Sequence, residues 1–237
     1  MSTAPSAQSV FSRRDLFRCG ALLGAGAVAA GALGLPALAA ADAGETALPA
    51  TPAEAFARLA AGNARFSSGA AVGPERTLAR LKEVAPQQKP FSAFLGCADS
   101  RVPIEIAYDQ GFGDIFVVRV AGNIATPVEI ASLEFGSLVL GCKTITVLGH
   151  SGCGAVKAAL AGAEVPGQIS TLFQYIVPAI DRQKMDLAQA TVANVRYQMR
   201  KLREASPVLS RLVGEGKLAI AGGVFDIAAG TVAPVEA

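Results

Sequence analysis

Two short segments contain the most reactive combination of residues in this sequence. Residues 97–101 read CADSR, and residues 150–153 read HSGC. Two cysteines, one histidine and one carboxylate form a borderline-soft ligand set that suits tetrahedral Zn²⁺. His150 is the only histidine in the chain, which excludes a site that needs several histidines from one chain. A metal site here must therefore depend on sulfur.

The spacing of the acidic and basic residues adds a possible switch to this site. Arg101 lies two residues beyond Asp99, so its guanidinium can fold back and pair with the carboxylate. With Asp99 held in this way, the predicted zinc ligands are Cys97, His150 and Cys153, and the fourth position is open to water. Zinc brings the pKa of bound water from about 15.7 to about 7, which supplies hydroxide at neutral pH. If Arg101 releases Asp99, the carboxylate becomes the fourth ligand and closes the site.

Each of these residues also has a structural alternative. A cysteine at the end of a strand is often a small core residue, and Asp99 could cap the turn that follows it. Arg101 could be a surface charge, and His150 could bond only to the backbone. The position of the only histidine, three residues before a cysteine and among glycines, favours the metal site. Cys142 lies in an apolar context without such neighbours, and we interpret it as a core residue.

The elements around the two segments alternate between strand and helix patterns. Apolar, β-branched runs predict strands over residues 91–96, 115–120, 143–148 and 218–225, with an edge strand at 231–232. Helical spacing predicts helices from 51 to near Gly62, from Pro74, over 102–108, from Thr126, from Cys153, over 170–182 and over 188–204. This order predicts an α/β fold with a central, mostly parallel sheet flanked by helices. Ligands bind beyond the carboxyl ends of such strands, where both reactive segments lie.

The start of the chain has the pattern of an export signal. Arg13 and Arg14 are adjacent, and 23 uncharged residues separate Arg18 from Asp42. We interpret residues 1–41 as a twin-arginine signal peptide that is cleaved near Ala39 or Ala41, with a retained membrane anchor as the alternative. Residues 42–50 are interpreted as a linker and residues 51–237 as the zinc domain. The expected location is the periplasm or the exterior, without stable membrane insertion after cleavage.

Composition narrows the function further. The chain has 237 residues and a formal charge of +2, and 17% of its residues are charged. Removal of residues 1–41 takes away three arginines and one aspartate, which leaves a formally neutral chain. A nucleic-acid-binding protein would have a clustered basic excess, so we expect no nucleic-acid partner. The three remaining cysteines are an odd number, which fits a disulfide framework poorly.

At these motifs the sequence resembles the β-class carbonic anhydrases. The C-x-D-S-R and H-x-x-C motifs are similar to those of the family, as is the stretch over residues 113–123, and the resemblance covers residues 52–232. It implies one Zn²⁺ per chain, held by Cys97, His150 and Cys153, with Asp99 and Arg101 as catalytic residues. The implied reaction is the reversible hydration of CO₂ to bicarbonate and a proton by a zinc-bound hydroxide.

The resemblance also implies a substrate pocket and an assembly. It assigns substrate binding to Gln88, nine residues before the first cysteine, and to Phe116, Ala121 and Gly152. It implies a homodimer or tetramer in which the N-terminal helices pack on the partner. Two other functions stay open at this point: hydrolysis of carbonyl sulfide or carbon disulfide on the same scaffold, and a non-catalytic zinc-binding or redox-responsive role.

Overall fold

The computed structural model describes residues 47–236. The predicted signal peptide and residues 42–46 of the predicted linker lie outside the described residues. Within the described residues the helices are α1 (Pro52–Ser67), α2 (Leu78–Val84), α3 (Ile104–Ala107), α4 (Pro127–Glu134), α5 (Gly154–Ala161), α6 (Phe173–Ile176), α7 (Leu187–Ala205) and α8 (Pro207–Gly214). The strands are β1 (Ser92–Gly96), β2 (Ile115–Arg119), β3 (Thr144–His150), β4 (Ala219–Phe225) and β5 (Val232–Val235).

The strands form one sheet in the order β2-β1-β3-β4-β5. The first four strands are parallel, and β5 pairs with β4 in the antiparallel direction. This confirms the predicted α/β fold with a mostly parallel central sheet. In the register, Gly96 lies opposite both Leu148 and Arg119. The residues just after β1 therefore lie beside the end of β3, as the two reactive segments require.

The sheet is buried on both faces, which explains the continuous apolar runs of β1 and β3. On one face, Leu95 and Val147 pack with Leu202 and Leu209 from α7 and α8. On the other face, Phe94 packs with residues of α1 and α3. A third cluster, at the carboxyl ends of the strands, contains the sulfur-bearing residues Cys97 and Cys153 together with residues of α5, α6 and α7.

Helix α1 is longer than the sequence indicated. The capping box between Thr51 and Glu54 forms as predicted, but the helix continues to Ser67, so the predicted end near Gly62 is wrong. A side chain at Gly62 would overlap the carbonyl oxygen of Tyr108, the residue that follows α3. The glycine is there because two backbones pass closely, not because the helix ends.

Two further helix boundaries differ for local reasons. The second helix begins at Leu78 rather than Pro74, because Glu75 has a φ of 57° and the Thr77 side chain caps the helix. The predicted helix over 170–182 is instead a 3₁₀ turn (Gly167–Leu172), the short α6 and a second 3₁₀ turn (Val177–Ala179).

Helices α3 and α8 also correct the sequence interpretation. Helix α3 covers only four of the residues predicted over 102–108. Helix α8 was missed, although Ser206 caps it and Pro207 occupies its first turn, both ordinary start signals. The interpretation of Cys142 as a core residue agrees with its 2% exposure, and burial raises the pKa of its thiol to about 12.

The two N-terminal helices have different surroundings. Ala55 and Leu59 of α1 are buried against the chain's own sheet. Helix α2 has no buried residue, and its Leu78 and Leu81 are exposed. The packing of these helices on a partner subunit stays a prediction. Over residues 47–236, no helix combines the length and apolar character needed to cross a membrane.

Candidate metal centre

Three ligand-type side chains meet at the carboxyl ends of β1 and β3. Cys97 directly follows β1, His150 is the last residue of β3, and Cys153 is the N-cap of α5. Gly152 has a φ of 68°, a conformation that glycine adopts without strain, and this turn brings Cys153 back towards His150. The backbone amide of Ser151 donates to the carbonyl of Phe225 and fixes the turn to β4.

The two sulfur atoms and one ring nitrogen of His150 lie within 4.8 Å of one another, and all three residues are buried. Ligand atoms of a tetrahedral zinc ion with bonds of 2.0–2.3 Å are separated by roughly 3.5–4 Å. The structure therefore brings together the three predicted metal ligands at a compatible spacing.

The ring of His150 is oriented for a metal. Its Nδ1 lies 3.0 Å from the backbone carbonyl of Ser151, so Nδ1–H donates there and the tautomer leaves a lone pair on Nε2. Nε2 is buried and has no hydrogen-bond partner among the described residues. A buried nitrogen without a partner is costly and calls for a ligand. A metal ion beside the two sulfurs supplies that ligand.

The surroundings of the two sulfurs favour the thiolate form of Cys97 over that of Cys153. The hydrogen bond from Cys153 lowers the pKa of Cys97, burial acts against this, and the Gly122 amide, 3.3 Å from the Cys97 sulfur, adds to the lowering. The same interaction with Cys97, together with burial, raises the pKa of Cys153. A cation is needed to bring both sulfurs to the thiolate form, and the N-terminal end of α5 assists this at Cys153.

Asp99 is paired with Arg101 at the edge of this cluster. Its Oδ1 accepts from the Arg101 amide at 3.0 Å and from Nε at 2.9 Å, and its Oδ2 accepts from Nη2 at 2.8 Å. These hydrogen bonds hold the pKa of the Asp99 carboxyl well below its usual range. The same Oδ2 lies 3.8 Å from Nε2 of His150. The carboxylate is thus ionised, close to the ligand cluster and bound by arginine.

These observations fit zinc. Two sulfurs and one imidazole nitrogen are borderline-soft donors that zinc prefers, and three protein ligands leave a fourth position for a reactant, as in catalytic zinc sites. Cys97, His150 and Cys153 would hold the ion, which agrees with the cofactor expected from the sequence.

The four predicted substrate-binding residues lie in different places. Ala121 and Gly152 are beside the cluster, since each is adjacent to a residue that contacts or provides a sulfur. Phe116 lies opposite Ala93, four residues before Cys97, which is about 13 Å along the strand direction. Gln88 precedes β1, so the length of a five-residue strand, about 17 Å, separates it from the cluster within one chain.

Two residues that contact the site were not anticipated from the sequence. Arg119, at the end of β2, donates to the carbonyls of Cys97 and Asp99, and Gly122 donates to the Cys97 sulfur. Both lie in the stretch that resembles the family, but neither had a role assigned. A charged residue at the end of an otherwise apolar strand was the available signal for Arg119.

Comparison with known proteins agrees with this geometry. A family model described as carbonic anhydrase matches residues 92–232, which include all three ligands and the Asp99–Arg101 pair. The chain belongs to the carbonic anhydrase family.

Curated carbonic anhydrases of mycobacteria align over most of their length. The carbonic anhydrase of Mycolicibacterium smegmatis is 35% identical over 191 residues, which cover 76% of this chain and 92% of that protein. Carbonic anhydrase 2 of Mycobacterium tuberculosis is 34% identical over 184 residues, with coverage of 74% and 89%.

Solved structures place this carbonic anhydrase in the β class. A tetrameric β-carbonic anhydrase of Sordaria macrospora superimposes with a TM-score of 0.59 and 27% identity, covering 66% of this chain and 86% of that chain. The β-carbonic anhydrase CcaA gives a TM-score of 0.60 at 25% identity, with coverage of 76% and 86%.

Proposed function

We propose that this β-carbonic anhydrase catalyses the reversible hydration of CO₂ to bicarbonate and a proton, with one zinc ion per chain. The observation that carries the proposal is the arrangement of two buried sulfurs beside Nε2 of His150, which has no partner within residues 47–236, and beside a carboxylate that arginine keeps ionised. A structural zinc site would use its fourth ligand to close the coordination. Here the nearest carboxylate is bound to Arg101 instead.

The residues of the site divide the work. Cys97, His150 and Cys153 would hold the zinc. As a Lewis acid, a bound zinc ion lowers the pKa of a water molecule so that it ionises near neutral pH. Asp99 is ionised and can only accept hydrogen bonds. It would therefore accept a hydrogen bond from the water-derived oxygen that attacks CO₂, and this would orient a lone pair of that oxygen towards CO₂.

Arg101 determines whether Asp99 is available for this task. Both carboxylate oxygens point at the guanidinium and the backbone amide of Arg101. While these hydrogen bonds hold, Asp99 would not be available to bind a metal ion held by Cys97, His150 and Cys153. Release of Asp99 by Arg101 would let the carboxylate become the fourth ligand and close the site.

The distance of Gln88 from the cluster supports a dimeric assembly. Within one chain, Gln88 lies at the opposite end of β1, so its proposed contact with bicarbonate requires Gln88 of the partner subunit. Strand β2 is an edge of the sheet, and Phe135 packs on Phe116 of this strand. Phe135 and its neighbours Val128, Leu138 and Val139 are exposed apolar residues. We propose that two chains associate through this side, with a tetramer as a further assembly.

Sedimentation of the purified protein tests this assembly. We expect a dimer or tetramer at micromolar concentration, and Leu138→Asp should shift the population towards monomer with a loss of activity. The matched control Ile169→Asp changes an equally exposed apolar residue, 49% exposed in both cases, in the 3₁₀ turn Gly167–Leu172. A wild-type protein that is monomeric and fully active would overturn the dimer proposal.

The proposed location is the periplasm or the exterior, by twin-arginine export. The support is the sequence pattern around Arg13 and Arg14 and the chemistry of the site, since free thiols are at risk of oxidation outside the cytoplasm. Export after folding would let zinc bind before this exposure. Replacement of Arg13 and Arg14 by lysine should stop export and leave cytosolic activity intact, whereas unchanged export would overturn this proposal.

Stopped-flow CO₂ hydration with a pH indicator tests the catalytic proposal directly. We expect activity that requires zinc and rises between about pH 7 and 9, where a zinc-bound water ionises. Cys97→Ser should lose both zinc and activity, and Cys142→Ser, a buried cysteine outside the cluster, should keep both. Zinc-replete protein that hydrolyses carbonyl sulfide or carbon disulfide but does not hydrate CO₂ would overturn the proposed reaction.

A further inference from the structure

We propose that Arg119 is a positioning residue of the metal centre, which acts by binding the backbone of the segment that carries Cys97 and Asp99. Its Nε donates to the carbonyl of Cys97 at 2.8 Å, and its Nη2 donates to the carbonyl of Asp99 at 2.6 Å. One guanidinium thus binds two carbonyls within three residues. Hydrogen bonds from a charged donor are about twice as strong as neutral ones. The inference rests on the proposed function, because it concerns the same site.

The sheet places Arg119 for these contacts. Arg119 is the last residue of β2, and it lies opposite Gly96, the last residue of β1. Its Cγ lies 4.0 Å from the place where a Cβ on Gly96 would be, so its side chain runs beside the strand end towards the next residues. The last ladder bond between these strands joins the amide of Val120 to the carbonyl of Gly96. Beyond this bond, the Arg119 side chain provides the hydrogen bonds that link the end of β2 to the residues after β1.

The hydrogen bonds of Arg119 orient the side chains of Cys97 and Asp99 without binding their reactive atoms. Arg101 already binds both oxygens of the Asp99 side chain, and Gly122 binds the sulfur of Cys97. Arg119 binds only the main chain of these two residues. Fixing these carbonyls fixes the backbone from which both side chains project. Their reactive atoms are therefore held at one position relative to His150 and Cys153.

The rigid fork of arginine is what two carbonyls in this geometry require. Lysine would keep the positive charge but present a single nitrogen on a flexible stem. Methionine would keep most of the length and remove both donors. Outer residues that orient metal ligands typically change metal affinity or activity about 10–100-fold when they are replaced.

Arg203 provides a matched control in the same protein. Its Nη2 donates to the carbonyl of Ile220 in β4 at 2.9 Å, so it is also an arginine bound to a strand carbonyl. It is not among the residues of the metal cluster. Variants of Arg203 therefore show the effect of losing an arginine–carbonyl bond away from the metal cluster, and the difference from the Arg119 variants reports on positioning.

The test compares Arg119→Met and Arg119→Lys with Arg203→Met and Arg203→Lys in the zinc-loaded protein. Three quantities are measured: the rate of zinc transfer to a chelator, the visible spectrum of the Co²⁺-substituted protein, and kcat and KM for CO₂ hydration. We expect Arg119→Met to release zinc about 10–100-fold faster, to shift the Co²⁺ bands and to lower kcat with little change in KM. Arg119→Lys should fall between Arg119→Met and wild type, and both Arg203 variants should match wild type in zinc release and spectrum.

The outcomes separate the alternatives. If Arg119→Met and Arg203→Met release zinc at the same rate with unchanged Co²⁺ bands, the positioning role is overturned. Full recovery in Arg119→Lys would show that charge alone matters and would also overturn it. If Arg119→Met does not fold, the comparison of Arg119→Lys with Arg203→Lys decides in the same way. Zinc release and the Co²⁺ spectrum do not depend on CO₂ hydration, so a failure of the proposed function remains distinguishable.

Discussion

Asp99 and Asp109 both pair with arginine, but the partners of the two carboxylates lie at different distances along the chain. Both oxygens of Asp99 accept from Arg101, two residues away. Asp109 is fully buried and accepts from Arg65 and Arg76, which are 44 and 33 residues away in sequence. An ion pair between distant segments joins parts of the fold. A pair between near neighbours in sequence connects no distant parts of the fold, so its effect is on the carboxylate itself.

The surroundings of the two carboxylates differ in the same sense. Asp109 also accepts from the backbone amides of Val72 and Gly73, so its oxygens are fully used inside the protein. Asp99 lies beside Nε2 of His150, which no group in the described part of the chain binds. A carboxylate with every acceptor site occupied stabilises the fold, whereas one next to an unpaired buried atom indicates a ligand. This difference separates a structural ion pair from a functional one.

The largest effect that follows from this comparison concerns catalysis. Asp99→Asn should lower the rate of CO₂ hydration by roughly 10²–10⁴-fold, because an amide can donate where the reaction needs an acceptor. Zinc content and melting temperature should stay close to wild type, because Asp99 is bound by Arg101 rather than by another element. Stopped-flow hydration with zinc analysis measures this. An unchanged rate would show that Asp99 has no part in catalysis.

The second effect concerns stability. Asp109→Asn should lower the free energy of unfolding by about 2 kcal/mol, because its amide nitrogen would face donors of Arg65 and the backbone. The activity per folded molecule should not change. Urea unfolding measures this loss, and Asp181→Asn is the control, since Asp181 is 43% exposed and its partners, Lys184 and the Gln183 amide, are both near in sequence. Equal stability of the two variants would contradict the structural role of Asp109.

The pH dependence sharpens the same contrast. Burial disfavours the charge of Asp109, but hydrogen bonds from Arg65 and from the amides of Gly73 and Val72 outweigh it and lower its pKa below the usual value. Because the folded-state pKa is below the unfolded value of about 3.9, the contribution is complete above about pH 5 and is lost as the pH falls through the folded-state pKa. The stability difference between wild type and Asp109→Asn should therefore be constant from about pH 7 to 5 and shrink below about pH 4. A difference that grows on acidification would have the wrong sign.

The smallest effects come from conservative changes of the arginines. Arg101→Lys keeps the charge but loses the two-pronged contact, so we expect activity to fall about tenfold with little loss of stability. Arg65→Lys should instead cost about 1 kcal/mol of stability and leave turnover unchanged. Thermal unfolding and hydration assays on both variants check this. If Arg101→Lys lowered stability and Arg65→Lys lowered turnover, the distinction between the two ion pairs would be wrong.

The sequence was sufficient to predict the four parallel strands and the three residues of the candidate metal cluster. The central strands β1 and β3 are buried along their whole length, so their apolar runs stand out without any knowledge of partners. The ligands are reactive residues at the ends of two such strands. Parallel pairing brings those ends together whatever the details of the helices.

The sequence was not sufficient where a residue serves a partner far along the chain. Gly62 looked like the end of a helix, but it allows α1 to pass the backbone after α3. Asp109 has no sequence neighbour that reveals its buried ion pairs. Arg119 lies in the stretch that resembles the family, but nothing near it in sequence indicates its contacts with the Cys97 and Asp99 carbonyls. In each case the information lies in contacts between segments 20 or more residues apart.

By itself, the sequence predicted the α/β order, the grouping of Cys97, His150 and Cys153 as candidate metal ligands and the neighbouring Asp99–Arg101 pair, because these depend on local patterns and short spacings. The tertiary structure alone decided which nitrogen of His150 is free for a metal, how Arg119 binds the backbone of the ligand segment, and that Gln88 lies at the far end of β1. Those features depend on the register and packing of distant strands. Directions of hydrogen bonds and distances across a sheet exist only once the chain has folded.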